Sequence, residues 1–273
     1  EKPDGCSLRG QHLSGGDRRT EYRVENREGL ILTLRLRKHS FCFLVVLSSV
    51  LGQSLIFAQQ DRFESGLASK DRGHYATALR AWLPMAESGN AEAQNNVGYM
   101  YEEGLGVPQN YLLALNWYRQ AADAGLSEAQ HNMGMLYHYG YGVAENLGEA
   151  FRWFKMAADQ DLPESEYMLG LAYENGEGTE LNYAEAKRLF LSAARKNYVP
   201  AQMMYAFMLQ AGVGGDSVPF SAYLWGNIAE NNGSESAIDI TTMSTVQLDD
   251  EEIVEAEKII TDCLARSLDE CPG

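Results

Sequence analysis

Four times between residues 90 and 233 the chain returns, after 36 positions and without an insertion, to the same order of small and aromatic residues. Ala93, Ala129, Ser165 and Ala201 open the register; Gly98, Gly134, Gly170 and Ala206 follow, then Tyr101, Tyr137, Tyr173 and Leu209, then Gly104, Gly140, Gly176 and Gly212. The second half keeps the beat with Gly106, Gly142, Gly178 and Gly214, with Ala114, Ala150, Ala186 and Ala222, with Trp117, Trp153, Leu189 and Trp225, and with Ala121, Ala157, Ala193 and Ala229. A period of that length belongs to stacked supersecondary units, each of which buries its apolar face only against its neighbours.

Each unit reads as two helices joined by a glycine turn. Ala93, Val97, Gly98, Met100 and Tyr101 fall at the spacing of one helical face and predict a first helix over residues 91–103. Gly104-Leu105-Gly106-Val107-Pro108 ends it, because Gly reaches the left-handed conformation that closes a helix and Pro cannot extend one. Leu112, Leu115, Trp117, Tyr118, Ala121 and Ala122 then predict a second helix over residues 111–124. Gly98 and the Ala121-Ala122 pair lack bulk where the two helices cross, with Trp117 and Tyr101 expected to fill the space beside them.

The pattern Ala-x-x-x-x-Gly-x-x-Tyr-x-x-Gly-x-Gly-Val, then Ala-x-x-Trp-Tyr-x-x-Ala-Ala-x-x-Gly, resembles the Sel-one-like repeat, a relative of the tetratricopeptide repeat. Residues 90–125 match almost throughout and residues 126–161 match well. Residues 162–197 carry Leu189 and Thr179 at the aromatic and turn-Val positions, and residues 198–233 are degenerate at Ala206 and Leu209, as a unit next to a cap drifts. Upstream, Phe63, Gly66 and Leu67 with Tyr75, Ala78, Trp82, Ala86 and Gly89 form a further half-match over residues 59–89. The resemblance implies an all-α fold: a right-handed α-solenoid of stacked helix-turn-helix repeats, closed by a C-terminal capping helix and tail over residues 245–273.

The N-terminus reads as an export signal. Arg35, Arg37 and Lys38 precede the apolar run Phe41 to Val50 and then Leu55-Ile56-Phe57-Ala58, so residues 35–58 describe a signal peptide cleaved after Ala58. An uncleaved membrane anchor is the alternative, since the stretch approaches the ~20 residues that span a bilayer. Residues 1–34 are polar and unpatterned and lack Met, and we expect a true translation start near Leu30, Leu32 or Leu34 with the preceding residues as an upstream extension. The exported protein is then periplasmic or secreted, with no integral membrane segment after cleavage.

Residues 59–273 hold 13 basic against 32 acidic residues, a formal charge of −19. Nucleic acid and anionic membrane surfaces repel such a chain. The acidity either serves solubility or attracts a basic partner. After signal removal two cysteines remain, Cys263 and Cys271, and an even pair in an exported chain predicts a disulfide tying the tail to the last helix. That helix should run from about Asp249 to Ala265, with Asp249 and Glu252 as a capping box and Ile253, Ala256, Ile259, Ile260 and Leu264 as its apolar stripe over the last repeat.

Motifs for catalysis are absent: there is no His-Glu-x-x-His, Ser-x-x-Lys, Gly-x-Ser-x-Gly or Walker loop. Gly212-Val213-Gly214-Gly215 falls where the register places an interhelix turn, and His131 and His138, two helical turns apart, read as surface polar residues rather than a metal pair. We expect no catalytic residues, no metal and no cofactor. In tetratricopeptide-like stacks the first helices line the concave side, so the resemblance implies a partner-binding face of Asn95, Tyr99 and Glu102; His131, Met135 and His138; Tyr167, Leu171 and Glu174; and Met203, Phe207 and Gln210. Met203, Met204 and Phe207 either grip a peptide or pack against the terminal helix. The reading is a monomeric, non-enzymatic scaffold or adaptor of the bacterial cell envelope that binds a protein or peptide, with roles such as assembling surface complexes, restraining a membrane sensor or meeting host proteins. The alternative is an envelope hydrolase acting on β-lactam or peptidoglycan material, as for cysteine-rich relatives, whose paired repeat cysteines this chain lacks.

Overall fold

The computed structural model describes residues 20–25, 31–36 and 59–272. The chain divides into two compact units, Glu1–Glu64 and Ser65–Gly273. In the first, β1 (Thr20–Glu25) and β2 (Ile31–Leu36) pair antiparallel with Thr20 opposite Leu36 and Glu25 opposite Ile31. The stretch expected to be unpatterned therefore holds a hairpin, and Leu32, Leu34 and Leu36 supply the two-residue alternation of its second strand. From residue 37 to 58 the expected export signal lies outside the described residues.

From residue 59 onward the described chain is all-α. Helix α1 covers residues 59–71 and is followed by α2 (Tyr75–Glu87). Four pairs succeed it: α3 (Ala91–Glu103) with α4 (Tyr111–Asp123), α5 (Ser127–Tyr139) with α6 (Leu147–Ala158), α7 (Pro163–Asn175) with α8 (Tyr183–Arg195), and α9 (Val199–Ala211) with α10 (Pro219–Asn231). Each helix packs on the next, which makes the solenoid. The left-handed residues Gly104, Gly140, Gly176 and Gly212 cap the first helices.

Two glycine series hold the stack together, and they do different things. The first works within a repeat. A Cβ placed on Gly98 would lie 2.7 Å from the Tyr118 ring, one on Gly134 2.5 Å from Phe154, and one on Gly170 2.5 Å from Phe190. The ring that fills the crossing is therefore Tyr118 and its equivalents, all buried, whereas Trp117 and Tyr101, expected there, are only half-buried. The second series works between repeats. Gly106, Gly142, Gly178 and Gly214, all at positive φ, press against the start of the second helix one repeat earlier: a Cβ on Gly142 would meet Tyr111 at 2.7 Å and one on Gly178 would run into the Leu147 carbonyl.

A buried polar ladder adds a third link. Gln94, Gln130 and Gln202 each donate from Nε2 to the carbonyl eight residues back, on Ala86, Ala122 and Ala194, satisfying a helix C-terminus that water does not reach. In the third repeat Glu166 stands at that position and cannot donate. Its Oε1 accepts from Lys196 Nζ at 3.0 Å and from Ser192 Oγ at 2.8 Å instead, and Lys196 also bonds Asp161.

The fourth repeat closes the stack by exchange. Ala206 replaces the glycine and Gly226 the ring; Trp225, one position earlier, is fully buried and meets Tyr205 edge-on with centroids 5.7 Å apart. The space beside Gly226 belongs to α11 (Ile238–Thr245), a helix not anticipated from sequence, whose Thr241 Cγ2 lies 2.7 Å from where a Cβ would stand. Helix α12 (Asp250–Ala265) then packs on α10, its N-terminus closed by the Asp249/Glu252 capping box. Its stripe is Ile253, Ala256, Ile259, Ile260 and Cys263; Leu264, expected on it, is 42 % exposed because it sits one position round the helix from Cys263. Cys263 and Cys271 are bonded, with Cα atoms 5.7 Å apart, and the tail docks through Arg195 Nη2 to the Cys271 carbonyl at 2.9 Å and Trp225 Nε1 to the Pro272 carbonyl at 2.8 Å.

Candidate functional site

The first helices spend one stripe on the core, residues 93, 94, 97, 98 and 100 in α3 and their equivalents. Positions 95, 99 and 102, and those 36, 72 and 108 residues on, remain for a second face. First helices of neighbouring repeats touch along it: Asn132 Nδ2 donates to Asn95 Oδ1 at 2.9 Å, and His131 Nδ1 and Ser165 Oγ share a hydrogen bond of 2.8 Å.

The structure sorts the twelve expected site residues into two groups. Several are engaged in holding the stack. Asn95 accepts from Asn132; Glu102 Oε2 accepts from the Tyr118 hydroxyl at 2.5 Å; Gln210 Oε1 accepts from Ser244 of α11 at 2.6 Å. Met135 packs against Ala150, Phe154, Leu169 and Leu189, and Met203, with Met204, packs against the C-terminal core. His131 was expected at the surface as a free polar residue; instead it lies against the Phe154 ring, centroids 5.5 Å apart, and burial pushes its pKa down. Tyr167 and Leu171 also pack, half-buried, against the C-terminal core, Tyr167 beside the Phe190 and Tyr198 rings. Tyr99 and Phe207 are 39 % and 43 % exposed, so Phe207 does not join the methionines against the cap.

His138, Tyr167 and Leu171 come together at a cleft of about 350 Å³ between α5–α6 and α7. Phe151 and Phe154 wall it on the α6 side, and Glu177 lies at it from the turn after α7. Glu174, one turn from Leu171, stands close enough to Tyr167 to help raise that hydroxyl's pKa, after burial as the main cause. Burial also raises the Glu174 carboxyl and, against the Tyr118 hydrogen bond, that of Glu102.

An aromatic run beside the cleft was not anticipated. Tyr139 lines it, is 51 % exposed, sits edge-on to His138 at 4.8 Å and stacks on Tyr141 at 5.4 Å, which stacks on Tyr111 of the preceding repeat at 4.7 Å. Tyr139 and Tyr141 are two residues apart, and Tyr111, of the preceding repeat, joins them because Gly142 brings its turn onto the start of α4.

The His131–Ser165 pair has the atoms of a base and a nucleophile but not the setting. Ser165 is fully buried at the register position held by Ala93, Ala129 and Ala201, where no substrate carbonyl reaches its Oγ. The pair pins α5 to α7. Among the described residues no group of three His, Cys, Asp or Glu side chains is arranged to hold a metal ion, and no helix is long and apolar enough to cross a membrane.

A stack of 36-residue helix pairs defines a repeat scaffold. The Sel1 repeat family model matches residues 91–126, 127–162, 163–198 and 199–234, more than half of the chain and one residue out of phase with the units read from sequence, and the chain belongs to that family. Sel1 repeats generally mediate protein–protein interaction. A Sel1 repeat protein from Oxalobacter formigenes is similar at 28% identity over 73% of this chain and 84% of its own, with a TM-score of 0.64. A putative Sel1 repeat protein from Klebsiella pneumoniae is 17% identical over 71% of this chain and 96% of its own, at a TM-score of 0.47. A protective antigen of uropathogenic Escherichia coli strains that displays this repeat fold is 22% identical over 75% of this chain and 57% of its own, at a TM-score of 0.40. No curated protein matches.

Proposed function

We propose that the exported chain is a non-enzymatic scaffold of the bacterial cell envelope that binds a partner protein along the first-helix, concave face. The observation that carries this reading is the open cleft at His138, Tyr167 and Leu171, all half-buried, flanked by the Tyr139 ring, which is exposed beside it. The basic-then-apolar segment before Ala58 and the Cys263–Cys271 pair support export into an oxidising compartment.

The test is affinity capture from an envelope extract with the full chain, beside a variant carrying Tyr99→Ala, Tyr139→Ala and Phe207→Ala. All three side chains are exposed, so the variant should melt with its parent. Proteins retained by the parent and lost by the variant support the reading; identical captures overturn the face.

A further inference from the structure

The charges of the solenoid are sorted by helix. Between residues 73 and 234 the chain has eight Lys and Arg, and all lie on second helices or, for Lys196, at the C-cap of α8. The first helices α3, α5, α7 and α9 carry no Lys or Arg and seven Glu: Glu92, Glu102, Glu103, Glu128, Glu164, Glu166 and Glu174. Of these, only Glu166 takes part in a salt bridge among the described residues. Lys70 of α1 reaches the far end of the face, with its Nζ 6.0 Å from the Tyr99 ring centre. At the face positions themselves the carboxylates are Glu102 and Glu174, neither of them in a salt bridge among the described residues, so the local field there is negative.

That field borders the cleft, whose own lining holds one carboxylate, Glu177. Its apolar lining includes Phe151, Phe154 and Leu171 and its polar lining His138, Asn175 and Glu177, while Glu174, outside the lining, stands near Tyr167. Glu174 is partly desolvated, so an incoming cation gains more there than at a fully hydrated carboxylate. Tyr139 offers an exposed ring, the partner a guanidinium stacks on.

We propose that this face takes a cationic peptide segment of its partner: an apolar or aromatic side chain enters the cleft between α5–α6 and α7, while flanking Lys or Arg side chains meet Glu174, Glu177 and the Tyr139 ring. The proposal rests on the reading that the first-helix face binds protein, and it adds the chemistry of what is bound. Anionic lipid and nucleic acid are repelled by the same carboxylates.

A random dodecapeptide display library selected on the full chain tests it without knowledge of the partner. The expected survivors carry two or more Lys or Arg around one Phe, Tyr, Leu or Ile. The best of them, made as a labelled peptide, should bind the Glu174→Gln, Glu177→Gln variant at least tenfold more weakly, lose affinity as salt rises, and lose it again when its apolar residue becomes Ser. Both substitutions are isosteric, and a melt of the variant checks the fold. Survivors without basic enrichment, no survivors above background, or equal binding by the variant overturn the proposal. If the envelope capture still depends on Tyr99, Tyr139 and Phe207 while the library result is negative, the binding face stands and the cationic ligand falls; if the capture is also indifferent, both fall.

Discussion

Phe154 occupies the space that a side chain on Gly134 would need: its Cδ1 and Cε1 both lie 2.5 Å from the position of a Cβ there. The ring is buried among Ala150, Leu169 and Leu189, and it walls the cleft on its other side. Gly134→Ala should therefore destabilise by about 1–3 kcal/mol, the range for overpacking a filled core. Gly148→Ala is the control, since a Cβ there meets nothing nearer than Asn146 Oδ1 at 3.5 Å. It should be neutral or stabilising by up to ~1 kcal/mol. Chemical denaturation of both variants decides; equal effects would remove the crossing from the account.

Which ring faces the glycine was legible in the sequence and was misread. Trp117-Tyr118 and Trp153-Phe154 put aromatics at both neighbouring positions, but the third repeat separates them: Leu189 drops the ring and Phe190 keeps it, as Trp82 does upstream. The position that faces a bare backbone needs the flat filler; its neighbour tolerates an aliphatic. The helix pairs, their turns and the Asp249 cap were legible because each follows from local spacing and capping chemistry. The commitments of Glu102, His131 and Gln210 were not, because their partners Tyr118, Ser165 and Ser244 sit on other helices. Helix α11 was missed for a related reason: its eight residues bury only Ile240, Thr241 and Ser244, too few for a periodic signal.

Glu166 and Lys196 should behave as a unit. The carboxylate is nearly closed from water and Lys196 is the cation in direct contact with it among the described residues, so Lys196→Met leaves a buried charge and should cost about 3–5 kcal/mol. Glu166→Gln restores the residue of the other three repeats, which can donate to the carbonyl of Ala158 as Gln130 does to Ala122, and should cost under about 1 kcal/mol. The double variant should recover most of the Lys196→Met loss. A double-mutant cycle reads the coupling directly, and additive losses would mean that the pair is not a pair.

The His131 imidazole gives the solenoid a pH response. Its folded pKa lies below the ordinary 6.5, chiefly through burial, with Glu164 opposing. The unfolded chain therefore binds the proton more readily, so the stability tied to neutral His131 is present above 6.5 and is lost as pH falls from there through the lower folded pKa. Glu102 and Glu174, raised above their ordinary 4.5, carry the opposite sign, losing their contribution as pH rises through their folded values. Comparison with His131→Asn cancels them. Between pH 7 and pH 5 the parent's melting temperature should fall more than the variant's; parallel curves would mean that His131 is not held neutral.

The tail is tied at three points, the Cys263–Cys271 bond and the hydrogen bonds from Arg195 and Trp225, and these are coupled through its short length. The bond closes a small loop, so removing it should lower stability by about 2–3 kcal/mol through the freedom regained by the unfolded chain. More should follow than that entropy alone. Cys271 and Leu268 belong to the same core as Trp225, Tyr205 and Phe190, so a freed tail uncovers the buried Trp225 ring. Dithiothreitol should therefore lower the melting temperature and shift tryptophan emission to the red, while a Cys263→Ser, Cys271→Ser variant starts from the lowered state and ignores the reductant. Trp225→Phe, which loses only the hydrogen bond to the Pro272 carbonyl and part of the ring, should keep its response to reductant. An unchanged melt on complete reduction, with free thiols counted to prove it, would show that packing alone holds the tail.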